Sequence, residues 1–275
     1  MQKTIMLSLL LACAGAAWSQ DGDMTKISDS ITAKGKKLYR SEMASWYGTD
    51  IFVEKFAGLS NRGGYFSYDA PPFARCVFYS NDETPKVLAT ITFDSTYSTA
   101  TAQVDGTQRG LTDEETILFT LRKKASALIK EDTLFKSYKN TNLNLIPLID
   151  GDSREVYVLT GAETTGLVIF GNDYLLRFDS NNNLLGRKRI HLSMIPVQYG
   201  HSKGTEIGAM HTHLPETGEF ITATDICTLM LYEKFAKWEQ HMVVGEHWLS
   251  IWNCQSNRLI IVPQDSIKKK KKKNN

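Results

Sequence analysis

Apolar residues change their spacing repeatedly along this chain, and each change marks an expected element. Ile27, Ile31, Leu38 and Trp46 recur at roughly helical intervals through a polar, lysine-rich stretch. This predicts an amphipathic helix, weakened at Gly35 and broken near Gly48. From Gly63 to Val104 the period falls to two. Segments 65–68, 76–79, 87–93 and 99–104 are rich in aromatic and β-branched residues, and Asp69-Ala-Pro-Pro and Asn81-Asp-Glu-Thr-Pro85 read as turns between them. An antiparallel meander with one solvated face follows from that alternation.

Thr112 with Glu115 forms a capping box, and Ile117, Leu121, Ala125, Leu128 and Ile129 keep helical spacing behind it. That helix is expected to end before Asn140. Strands are expected at 143–149, 155–160, 166–170, 174–178 and 184–195, with Asp179-Ser-Asn-Asn-Asn183 as a hairpin loop. Residues 206–210 lead into a histidine pair. Ile226, Leu229, Met230, Phe235 and Trp238 then give a helix its buried stripe. Segments 242–244 and 248–252 read as a hairpin turned at Gly245-Glu246, and 259–262 as a last strand. The expected fold is α+β, with antiparallel or mixed sheet and three flanking helices. Its organisation is a leader at 1–20, a helix with antiparallel strands at 21–110, an α+β metal-binding region at 111–265, and a lysine-rich tail at 266–275.

Composition changes the picture little. The 275 residues are 42% hydrophobic and carry a net charge of +2, which excludes disorder and shows no electrostatic footprint of nucleic-acid binding. The first twenty residues change it more. Lys3, the apolar run from Ile5 to Ala17 and the small residues near Ser19-Gln20 predict a secretory signal peptide cut near Gln20, so a periplasmic or secreted protein. The alternative is a lipoprotein, with Leu10-Leu-Ala-Cys13 as a lipobox and Cys13 acylated. No later segment is apolar for long enough to span a bilayer. Cys76, Cys227 and Cys254 are left in the mature chain, and their wide spacing predicts buried free thiols.

The chemistry centres on His211-Thr-His213-Leu-Pro215-Glu-Thr-Gly218-Glu-Phe-Ile-Thr222-Ala-Thr-Asp225. On a strand, the period of two puts both imidazoles on one side, which suits a zinc ion. Asp225, at the start of the next helix, supplies a third ligand, and a fourth position stays open for water. A plain reading stands beside this one: His-x-His also occurs on exposed strands, and Thr222-x-x-Asp225 is itself a capping signature.

These residues resemble the His-x-His-Pro and Ser-x-x-Asp signature of the JAMM (MPN-type) zinc metalloproteases. The resemblance implies a JAMM-like C-terminal half, with His211, His213 and Asp225 as zinc ligands and Thr222 in the place of the serine that binds the tetrahedral intermediate. It also implies a glutamate that activates water. Glu163, in Glu163-Thr-Thr-Gly166-Leu167, is the first candidate and Glu155 the second. Pro215 is displaced by one residue from the family pattern, and threonine replaces serine. The implied activity is hydrolysis of a peptide or isopeptide bond in an unidentified substrate. The whole chain is also similar to exported proteins of Bacteroidetes.

Two other classes compete. The aromatic meander and Trp238, Trp248 and Trp252 fit a catalytically inactive binding or structural module of the cell envelope. Cys227 would be the nucleophile of a cysteine hydrolase.

Overall fold

The computed structural model describes residues 3–200 and 208–266, with side chains from residue 23 onward except at Gly208. The leader and Cys13 lie outside the described side chains, and the tail beyond Ser266 lies outside the described residues. Among the described residues no helix is long and apolar enough to cross a membrane.

The chain is α+β, as expected. Helix α1 (Lys3–Lys55) precedes an antiparallel meander of β1 (Arg62–Ala70), β2 (Phe73–Ser80), β3 (Lys86–Phe93) and β4 (Gln103–Asp105), with β5 (Arg109–Gly110) paired to β3. The expected break at Gly48 is absent: α1 runs through it. A Cβ there would lie 2.7 Å from that of Cys76, and one at Gly35 would lie 2.6 Å from Ile226 Cγ2. Both glycines are therefore close-approach positions, and the backbone hydrogen bonds of the helix outweigh their low propensity.

Helix α2 (Asp113–Glu131) starts at the Thr112 capping box, where the Thr112 hydroxyl accepts from Glu115 N–H and the Glu115 carboxylate from Thr112 N–H. The second sheet has the order β10-β9-β7-β6, with β6 (Thr141–Asp150), β7 (Ser153–Ala162), β9 (Tyr174–Phe178) and β10 (Leu184–Arg189). Both faces of this sheet are covered, which explains the unbroken hydrophobic run of β7. Val156 and Val158 meet Leu121 and Ala125 of α2, while Tyr157 and Leu159 pack with Leu38 of α1 and Leu231.

One expected strand is two. Residues 184–195 divide into β10 and β11 (Met194–Gln198), and β11 leaves the second sheet to pair with β8 (Leu167–Gly171). The last sheet has the order β12-β13-β14-β15, with β12 (Gly208–Thr212), β13 (Gln240–Val244), β14 (Trp248–Asn253) and β15 (Arg258–Pro263). β12 and β13 are parallel, and α3 (Ala223–Ala236) is the crossover that a parallel pair requires. Ile226, Leu229 and Met230 of α3 bury against Val168, Phe170, Val243 and Trp252. Trp238 and Trp252 are core residues. Cys76, Cys227 and Cys254 are buried and free, as expected.

Candidate metal centre

β12 alternates as its period of two requires. Met210 and Thr212 face outward, while His211 and His213 face inward at 7% and 5% exposure. Pairing of His211 with Val243, and the bond from His213 N–H to Val244 O at 2.9 Å, fix their backbone. The loop after β12 carries the chain to the N-terminus of α3, where Thr222 is the N-cap and Asp225 the third helical residue. Thr222 and Asp225 close a reciprocal capping box. The Asp225 N–H donates to Thr222 Oγ1 at 3.1 Å, and Asp225 Oδ2 accepts from the Thr222 N–H and hydroxyl at 2.9 and 2.8 Å. Cap and ligand are thus compatible roles for one carboxylate.

A third imidazole joins them, and the sequence did not single it out. His191 lies in the link between β10 and β11, 5% exposed. Its position follows from close packing of that link on the end of β8. Gly171 has a φ of +79°, and a Cβ there would lie 2.3 Å from Ser193 O, so only glycine admits this approach. Asn172 N–H donates to Ser193 O at 2.9 Å. Asp173, next in the chain, accepts from the His191 N–H at 3.0 Å and from its Nδ1 at 2.7 Å.

His191, His211, His213 and Asp225 form a buried group that can hold a metal ion, all four ligand atoms lying within 4.8 Å of one another. His213 Nε2 is 3.0 Å from His191 Nε2 and 3.1 Å from His211 Nε2. Asp225 oxygens lie 3.5, 3.6 and 3.3 Å from the Nε2 atoms of His191, His211 and His213. Ligands held tetrahedrally at the usual metal–nitrogen and metal–oxygen lengths would be about 3.3–3.4 Å apart; the five separations, 3.0–3.6 Å, lie on either side of that spacing.

The proton positions fit at His191 and His211, and leave His213 Nδ1 and His241 Nδ1 buried without a partner. If each Nε2 offers its lone pair inward, each Nδ1 carries the proton. That of His191 donates to Asp173, the carboxylate–histidine arrangement that orients a metal ligand. That of His211 donates to His241 Nε2 at 2.9 Å. His213 Nδ1 and Asp225 Oδ1 are buried without a hydrogen-bond partner.

Without a cation the cluster shares its charges differently. Burial works against a charged His191, but Asp225 and Asp173 outweigh it and push its pKa up to about 11. Burial lowers the pKa of His211, helped by the neighbouring His213 and His191. Burial and His211 push His241 down to about 3. Burial opposes ionisation of Asp225, yet the surrounding imidazoles hold it well below the usual carboxylate range. A proton on His191 thus substitutes for metal charge beside an ionised Asp225.

The two glutamates lie elsewhere. Glu155 is engaged by Lys34 at 3.0 Å and by Arg177 at 3.6 Å. Glu163 is exposed on the turn after β7, its N–H bonded to Asn140 O. Neither belongs to the four-residue group. Cys227 is fully buried, and burial raises its thiol pKa far above the usual value, the opposite of an activated nucleophile. The chain matches no protein-family model, no curated protein and no solved structure, so the site is argued from its own geometry.

Proposed function

We propose that this chain is an exported zinc protein whose centre hydrolyses an amide, in a peptide or isopeptide bond. The observation that carries the reading is the mutual spacing of His191, His211, His213 and Asp225. The donor chemistry supports it as well. Structural zinc sites draw on thiolates, whereas imidazoles with a carboxylate are typical of catalytic ones, and here three cysteines are left outside the centre.

Zinc held there would polarise a carbonyl and make water more acidic. The remaining roles belong to the chain. His211 and His213 offer lone pairs from a rigid strand, and Thr222 orients Asp225 by donating its hydroxyl proton to Oδ2. That proton is committed to Asp225, so donation to an oxyanion requires the hydroxyl to turn. Glu163, exposed on its turn, and Glu155, paired with Lys34, lie outside the four-residue group, so neither is assigned as proton acceptor.

A second reading has its own observation: the group offers four candidate protein donors, the number that a closed centre stabilising a binding module would use. Protein purified without a histidine tag decides. One zinc per chain is expected, and none in the His211→Ala, His213→Ala double variant; equal metal in both would remove the centre. With zinc bound, cleavage in peptide and isopeptide libraries supports hydrolysis. Stoichiometric zinc without cleavage favours the closed module.

A further inference from the structure

The four donors are not held alike. His211 lies on β12, which is bonded along its length to β13, and His213 follows its last residue, its N–H bonded to Val244 O. Asp225 is locked in the first turn of α3 by the capping box with Thr222. All three therefore belong to one continuous strand–loop–helix unit. His191 belongs to none of it. It sits on an irregular link whose flanking strands pair in different sheets, β10 with β9 and β11 with β8. Its own N–H bonds to the Asp173 side chain rather than to a backbone carbonyl, and the next residue, Leu192, is exposed.

We propose that His191 is the exchangeable donor of the centre: a latch that closes the fourth position at rest and yields it to an entering ligand oxygen, the carbonyl of an amide substrate. This rests on the zinc reading above. Its physical basis is the difference in constraint. The backbones of His211 and Asp225 are held by a strand ladder and a helix start, whereas His191 lies between the sheets on a link that Asp173 holds through the His191 N–H and Nδ1. Withdrawal of His191 leaves two imidazoles and one carboxylate with one open position, the count found in catalytic zinc sites. The exchange moves no proton or electron. One lone pair leaves the metal and another takes its place. Asp173 retains the displaced imidazole through Nδ1, so the ligand remains close enough to return.

The test uses the full chain loaded with Co(II), whose visible absorption reports coordination, with acetohydroxamate and imidazole as probes. Wild-type protein is expected to bind one Co(II). His191→Ala is expected to retain it with a changed spectrum, to regain the wild-type spectrum in imidazole, and to bind acetohydroxamate about tenfold more tightly than wild type. His211→Ala is expected to lose the metal, with no rescue by imidazole. Asp173→Asn keeps the ligand but loosens its tether, so it should bind acetohydroxamate with intermediate affinity even if His191→Ala folds poorly. Loss of metal from His191→Ala as complete as from His211→Ala, or acetohydroxamate affinities equal to wild type in both His191→Ala and Asp173→Asn, overturns the latch and leaves the zinc reading intact. Absence of metal from the wild-type protein overturns both.

Discussion

At the scale of single residues the centre is decided by what stands behind each imidazole. A metal ligand needs its second ring nitrogen protonated and aimed; Asp173 stands 2.7 Å behind His191 Nδ1 and His241 Nε2 stands 2.9 Å behind His211 Nδ1. Asp173→Ala removes the acceptor from two bonds to His191 at once. Metal affinity is expected to fall about 10–100-fold, measured by competition with a chromophoric chelator, and less far in Asp173→Asn, which keeps an acceptor oxygen. An unchanged affinity would mean that Asp173 serves the loop alone. The visibility of these residues in the sequence follows from distance along the chain. His211, His213 and Asp225 lie within fifteen residues and are related by the periods of a strand and a helix start, so spacing reveals them. Asp173, His191 and His241 meet the site only through packing, and no spacing relates them to it.

At the scale of elements the main correction is the division of the expected strand at 184–195. Arg187, Lys188 and Arg189 break the apolar alternation before His191, a sign that the strand does not continue unchanged. What ends it, however, is the backbone approach of Gly171 to Ser193, a tertiary contact. Helix α1 is a second case: Gly35 was expected to weaken it and Gly48 to break it, and both are contact points within a continuous helix. Its buried face also carries Glu42, 4% exposed and bonded by Asn144 Nδ2 at 3.0 Å. Burial pushes this carboxyl up to about 7 from an ordinary 4.5, against the opposing effect of Asn144 and Arg122. Its folded pKa is raised, so its contribution is fully present below the unfolded value and is lost as pH rises from about 4.5 through about 7. Glu42→Gln is therefore expected to leave metal-free stability nearly unchanged at about pH 4 and to raise it by on the order of 2–3 kcal/mol at about pH 8. Urea unfolding at the two pH values measures this; a loss of stability at the higher pH would mean that the ionised carboxylate is a favourable partner in the fold.

At the scale of the whole molecule the centre joins parts that the chain order keeps separate. His191 follows β10 of the second sheet, Asp173 precedes β9 of the same sheet, and the other three donors belong to β12 and α3. A bound ion would staple these units, so metal should act on global stability as well as on the site. At free metal about 100-fold above its Kd the gain is about 2.7 kcal/mol, which for a chain of this size raises Tm by about 5–10 °C. Differential scanning calorimetry with and without chelator is expected to show that shift in the wild type and none in the His211→Ala, His213→Ala variant. A shift of equal size in both would place the metal's effect elsewhere. The sequence by itself determined the α+β class, the antiparallel meander, the two capped helices α2 and α3 and three of the four residues of the buried histidine–aspartate group, because periodicity and capping are local properties of neighbouring residues. Only the tertiary structure decided that His191 joins this buried group and that Asp173 stands behind it. Those depend on where two sheets meet, and that meeting is set by shape and burial summed over the whole core rather than by any stretch of chain.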